Sequence, residues 1–239
     1  MHILKLFFFF IVFFASSFLS AESRLQKILE TGQIRVGTTG DWNPMTMKDP
    51  STNEYIGFEI DIVAQLAEDM GVKLILVPTE WKTLVNGIVS DKYDISTSAS
   101  LSAKRALSTG YTNSYFKLAT VPLTLKKNLS KFQSWEDINK EGVKVAVTLG
   151  TTQEQQAKQI FPNATLTIIE SPARDFQEVL AGRAEVHITS NIEAAKLVEQ
   201  EEKKGAEAKE KKGGGEGEEN NENEKEKRSL YPVYWTLQV

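Results

Sequence analysis

Thr189, Ser190 and Asn191 stand together where an apolar run ends, and Glu193 follows two residues into a segment of helical spacing, "ITSNIEAA". Small polar side chains at such a junction lie beside the free backbone N–H groups of a helix start, a natural seat for an anion or a carbonyl oxygen. A carboxyl in that first turn has two possible uses. It makes a favourable contact with the helix dipole, or it faces a ligand and donates a proton to it. Ser98 and Ser100 in "STSASLSAKR" supply further hydroxyls beside Thr97, and Arg105 follows about one turn later. A guanidinium grips a carboxylate through two parallel hydrogen bonds. Thr151 and Thr152 in "LGTTQEQ" suit a helix cap, with Gln153 just inside, and a capped helix start still has N–H groups to offer an anion.

The stretch "VGTTGDWNP" matches neither the phosphate loop G-x-x-x-x-G-K-[ST] nor the dinucleotide fingerprint G-x-G-x-x-G. It reads either as a tight turn or as a pocket wall containing Asp41 and Trp42. Trp81 is a second exposed-end aromatic of the same kind. Groups for covalent or metal chemistry are scarce: the chain has no Cys, no G-x-S-x-G and no metal-ligand spacing, so no metal or cofactor is expected. His2 falls in the leader, and His187 sits within a strand and reads as a packed core residue rather than a base.

These groups need elements to position them, and the middle of the chain alternates in type. "QIRVGTT", "KLILVPT" and "YDISTSAS" read as strands; "GFEIDIVAQLAEDMGV" places Ile60, Val63, Ala64, Leu66, Ala67 and Met70 at helical spacing with Gly71 as its stop. "WKTLVNGIVSDK" reads as a short helix and "LATVPLTLKK" as an extended connector. The alternation then restarts with "VKVAVTLGTTQEQQAKQIF", "TLTIIES", "ARDFQEVLAGR", "AEVHITS" and "NIEAAKLVEQ". Two such blocks imply an α/β chain of two lobes with mainly parallel sheets. Ligands of these sheets lie beyond the carboxyl ends of the strands, and the polar groupings all fall at those ends, so one cleft between the lobes is expected.

The net charge of −4 argues against a nucleic-acid partner, which favours a basic face. Residues 1–21 run Lys5, an apolar block and small residues, the order of a cleavable secretory signal with cleavage expected after Ala21. The block is shorter than the ~20 apolar residues of a membrane span. Export to a periplasm, free of the membrane once cleaved, follows as the expectation. Residues 199–228 contain no Ile, Leu, Val, Phe, Tyr or Trp. A disordered tail over 199–239 is expected, although Glu–Lys pairs allow a fraying helix over 203–212 that Gly213 to Gly215 would stop. The domains expected are therefore a signal at 1–21, a first lobe at 22–120, a second lobe with the hinge entry at 121–198, and the tail.

"GFEIDIVAQLAEDMG" resembles the signature helix of the bacterial extracellular solute-binding proteins of family 3, the polar amino-acid receptors of ABC transporters. "TSASLSAKRA" resembles that family's Ser-x-Ser…Arg carboxylate site and "GTTQE" its second-lobe anion site; "RLQKILETGQIRVGTTGDWNPM" and "AGRAEVHITSNIEA" keep the family's order. The resemblance covers roughly residues 23–198. It implies two Rossmann-like lobes with a hinge, the type II periplasmic binding fold, and here the C-terminal return to the first lobe looks missing. It also implies that Arg105 grips a carboxylate with Ser98, Ser100 and Thr152 assisting, that Trp42 and Trp81 flank the ligand, and that an ABC permease is the partner.

Two departures shape the expected ligand. Where receptors of the family carry an Asp for the ligand ammonium, this chain has Ser190. A hydroxyl does not balance a desolvated ammonium, so a small organic acid fits better than an amino acid, unless Glu193 or Asp41 substitutes. The second concerns cyclohexadienyl dehydratases, enzymes of the same fold. The "IEA" context of Glu193 is similar to their proton-donating Glu, which gives an alternative reading as a prephenate-type dehydratase with Glu193 as general acid. Against it, those enzymes have Asn where this chain has Gln153 and keep the Asp replaced by Ser190.

Overall fold

The computed structural model describes residues 23–212 and 229–232. The expected signal at 1–21 lies outside the described residues, as do 213–228 and 233–239 of the expected tail. The first half contains β1 (Gln33–Thr38), β2 (Asp41–Trp42), β3 (Thr46–Lys48), β4 (Tyr55–Ile56), β5 (Lys73–Pro78) and β6 (Ile95–Ser96). β1 pairs in parallel with β5 on one side and β6 on the other. Helix Phe58–Asp69 crosses between them. Its Ile60, Val63 and Ala67 recur at helical spacing and are buried, Val63 and Ala67 in one core with Ile28, Ile34 and Val36.

β2, β3 and β4 form a separate small antiparallel sheet. Strands of two or three residues are too short to show a period, which is why the stretch reads in sequence as a turn or a pocket wall and not as a sheet. That sheet carries Asp41 and Trp42 out beyond the end of β1.

The second half contains β7 (Thr120–Leu125), β8 (Lys144–Thr148), β9 (Thr165–Ile169), β10 (Val186–Ser190) and β11 (Leu230–Pro232), in the order β11-β7-β10-β8-β9. β10, β8 and β9 run parallel, and β7 lies antiparallel to β10. Its core is Val145, Val147, Val186 and Ile188 against Phe132, Ile138 and Phe161 on one side, and Leu123, Val179, Ala194 and Leu197 on the other. The two α/β units expected from the alternation are therefore present, each around its own sheet.

Two parts of the expected tail are among the described residues, and the first covers the span where Glu–Lys pairs allow a helix. Helix Asn191–Lys212 runs straight through the start of the tail. Its first turns bury Ala194 and Leu197 in the second core, and ion pairs of Glu199 with Lys196 and Lys203, and of Glu201 with Lys204, brace the part beyond. β11 then pairs antiparallel with β7, and Leu230 is buried in the second core. A chain edge left open by β7 offers unpaired backbone groups, and one apolar tripeptide suffices to use them. Among the described residues, everything after Asn191 stays with the second sheet.

Candidate functional site

A cleft of about 470 Å³, counting its open mouth, lies between the two units. It is walled by Asp41, Trp42 and Trp81 from the first unit, and by Thr148, Thr151, Gln153, Arg174, Asp175, His187, Ile188, Thr189 and Glu193 from the second. The second-unit residues come from the carboxyl end of β8 and the helix start after it, from the segment joining β9 to helix Phe176–Leu180, and from β10 with the helix start that follows, largely as the rule for parallel sheets requires. Trp42 and Trp81 meet edge to face, centroids 5.8 Å apart at 77°.

Of the residues expected to bind ligand, Asp41, Trp42, Trp81, Thr151 and Gln153 line the cleft with Glu193. Thr97, Ser98, Ser100, Arg105, Thr152, Ser190 and Asn191 do not line it. Several of them are held by local duties. Ser98 is in the left-handed region at φ 63, and its N–H and hydroxyl both donate to the buried Glu59 carboxylate. Tyr115 donates to the same carboxylate at 2.7 Å. Ser190 is buried, and its Oγ accepts from Glu193 N at 3.2 Å, a plain helix cap. Asn191 trades two hydrogen bonds with the backbone of Ala119, tying the crossing segment to the helix start. Thr152 donates to Gln153 Oε1 at 3.2 Å, and Thr151 caps its helix by accepting from Glu154 N.

Arg105 lies at the seam between the units. It is 7% exposed, and its guanidinium donates to Ser100 O at 3.0 Å and to Gly150 O at 2.9 Å, one carbonyl from each unit. No acidic side chain among the described residues pairs with it. Burial lowers its pKa, opposed by Tyr111. A desolvated cation held by carbonyls and a phenol is strongly favoured by an added anion.

The units touch through few residues. Gly150 has φ +83, and a Cβ there would lie 2.4 Å from Lys82 Cα, so only glycine allows this approach. Lys82 pairs with Glu170 across the seam. Asp41 accepts from Trp81 Nε1 at 2.9 Å and from Ser171 Oγ at 3.0 Å, while Arg174 donates to its carbonyl.

Two charge couples form the second-unit wall, the partly exposed Arg174–Glu193 and the buried His187–Asp175. Glu193 accepts from Arg174 at 2.9 Å and from the Thr189 hydroxyl. Burial raises its pKa; His187 and Arg174 pull the other way, and the Asp175 charge adds to the rise. Asp175 caps helix Phe176–Leu180 and accepts from Thr148 Oγ1 at 2.8 Å. His187 Nδ1 lies 3.2 Å from Asp175 Oδ2, off the line of a hydrogen bond, so their attraction is chiefly coulombic. Burial alone would lower the imidazole pKa and raise the carboxyl; the mutual attraction outweighs it, raising His187 and lowering Asp175.

His187 is thus both a core residue, as the strand position implied, and part of the cleft wall. Sequence reasoning missed Arg174 and Asp175 as well. Their signal was thin: a charged pair inside "SPARDFQEV" looks like any exposed helix start, and only the pairing of β8 with β10 brings Thr148, Asp175 and His187 together.

The family model of the bacterial extracellular solute-binding proteins, family 3, matches residues 34–212. Cyclohexadienyl dehydratase of Pseudomonas aeruginosa is 34% identical over 181 residues, 75% of this chain and 67% of that one. The L-cystine-binding protein of Escherichia coli K12 is 25% identical over 180 residues, 75% of this chain and 66% of that one. This chain spans about two thirds of the length of these relatives. Among solved structures, an ancestral amino acid-binding protein described as a precursor of cyclohexadienyl dehydratase aligns with a TM-score of 0.71 at 37% identity, covering 74% of this chain and 78% of that one. An ancestral arginine-binding protein bound to arginine shares the fold, with a TM-score of 0.69 at 24% identity over 86% of this chain and 80% of that one.

Proposed function

This chain belongs to the bacterial extracellular solute-binding proteins of family 3, and from that premise we propose that it captures a small carboxylate-bearing solute between its two lobes for an ABC importer. The observation that carries the reading is Arg105, a buried guanidinium at the seam with carbonyls from both lobes and no acid to neutralise it. Closure of the lobes on a carboxylate would supply that charge. Trp42 and Trp81 then cover the apolar part of the solute, and the loop of Thr151 and Gln153 closes the far side. The protein would act in the periplasm, delivered there by the signal expected at 1–21.

An organic acid suits this cleft better than an α-amino acid. Ser190 is spent on capping a helix. The three carboxylates of the cleft are already engaged, Asp41 by Trp81 and Ser171, Glu193 by Arg174 and Thr189, and Asp175 by Thr148, Phe176 N and the neighbouring His187. A thermal-shift screen of organic acids and amino acids, followed by calorimetry, tests the reading: micromolar binding of an α-amino acid with no competing organic acid would reject the preference, and no binding of either class would reject the function.

One observation favours a second reading. Glu193 lines the cleft with its carboxyl buried and its pKa raised, the state a general acid needs. In a dehydratase of the prephenate type it would hand its proton to the departing hydroxyl, which leaves as water while the substrate carboxylate leaves as carbon dioxide. Formation of phenylpyruvate from prephenate, abolished by Glu193→Gln, would put this reading first.

A further inference from the structure

His187 is the residue of the cleft whose chemistry the proposed function leaves unused. It is 1% exposed, it lines the cleft, and neither ring nitrogen has a hydrogen-bond partner among the described residues. Such a buried polar atom is costly unless something arrives to satisfy it. One nitrogen is accounted for electrostatically, since Nδ1 faces Asp175 at 3.2 Å. Nε2, on the other side of the ring, is not.

We propose that His187 is a specificity-determining contact whose Nε2–H receives a second oxygen acceptor of the solute, so that the site selects acids bearing a further carboxylate over monocarboxylates. The inference rests on the carboxylate reading of the cleft and names the substrate class within it. Arg105 takes one end of the solute, and His187 takes the other.

Asp175, with Nδ1 3.2 Å from its carboxylate, raises the imidazole pKa and so favours the protonated ring, whose Nε2–H prefers an anionic acceptor. The neighbouring cation cannot serve this end equally well, because Arg174 is already committed to Glu193 and to the carbonyl of Asp41. The groups facing the ring are Asp175 and Arg174 from the segment entering helix Phe176–Leu180, and Glu193 from helix Asn191–Lys212. Thr148 at the end of β8 is turned to Asp175 and leaves the imidazole alone.

The test uses matched probes that differ by one carboxylate: butyrate with succinate, and 2-oxovalerate with 2-oxoglutarate. Calorimetry on the full mature chain is expected to give at least a tenfold preference for the dicarboxylate of one pair. His187→Leu should reduce that preference to within twofold. Because a lone buried Asp175 threatens folding, the double variant Asp175→Asn, His187→Leu removes both charges and should behave the same way. A preference that survives in the folded variant, or wild-type protein that binds both members of each pair equally, overturns the assignment of His187 alone. Wild-type protein that binds no member of the panel overturns the carboxylate reading and this inference with it.

Discussion

Gly150→Ala is expected to weaken solute binding about a hundredfold while leaving each lobe folded. The added Cβ would sit 2.4 Å from Lys82 Cα and 2.6 Å from Lys82 N, both backbone atoms that cannot swing aside. Restoring ordinary contact requires the lobes to part by about 1 Å at the seam, given that carbon atoms pack at about 3.5 Å. The hydrogen bond from Arg105 to Gly150 O, 2.9 Å long, would be lost in that movement, at a cost of about 2 kcal/mol for a bond from a charged donor. Alanine at the left-handed φ of +83 adds strain of about 1 kcal/mol. The strain counts against affinity only where the open form relaxes it, so about 3 kcal/mol is an upper figure, and it corresponds to roughly a hundredfold in Kd. Calorimetry with the best carboxylate from the screen reads the loss, and small-angle scattering with saturating ligand should show a larger radius of gyration than in the wild type. Unchanged affinity with unchanged scattering would refute the idea that solute is held by closure through this contact.

Other consequences follow from the buried charges. The His187–Asp175 couple has a raised imidazole and a lowered carboxyl. Its stabilisation is therefore complete between the ordinary carboxyl value of 3.8 and the ordinary imidazole value of 6.5; it fades as pH rises through the raised His187 value and as pH falls through the lowered Asp175 value. Thermal melts from pH 6 to 9 should fall less steeply for Asp175→Asn, His187→Leu than for the wild type, and parallel slopes would contradict the couple. Glu193 is raised as well, so it too favours folding at low pH and loses that contribution as pH rises; Glu193→Gln should flatten the melts above the ordinary value of 4.5. Glu59→Leu leaves Ser98 N–H, Ser98 Oγ and Tyr115 OH without their acceptor, and chemical denaturation should show a loss of about 2 to 4 kcal/mol.

The two-sheet architecture was legible because each helix and strand repeats its own period. Helix Phe58–Asp69 and the run from β8 to β10 carry enough apolar positions for that to show. The sheet of β2 to β4 was not legible, since its strands are too short to display alternation. Half of the cleft was also visible as hydroxyl-rich strand ends, with Thr151, Gln153 and Glu193 among them. What stayed hidden was which hydroxyls are free. Ser98 and Ser190 look like ligand contacts in sequence, yet Glu59 claims one and a helix start claims the other. The partner of Ser98 lies 39 residues away, and no local spacing encodes it, whereas the cap made by Ser190 is local and competes with the ligand reading of the same residue. Arg174 and Asp175 escaped for the same reason, because adjacent opposite charges are ordinary on a solvated helix start.

The central claim is that a solute carboxylate is neutralised by Arg105 between the lobes. Calorimetric titration of the wild type and of Arg105→Met with the same carboxylate tests it most directly, the Met keeping much of the side-chain volume without the charge. A charged hydrogen-bonding contact of about 1.5–3 kcal/mol implies a loss of roughly ten- to a hundredfold in affinity. Equal affinity in a variant that melts cooperatively would place the carboxylate elsewhere and contradict the account.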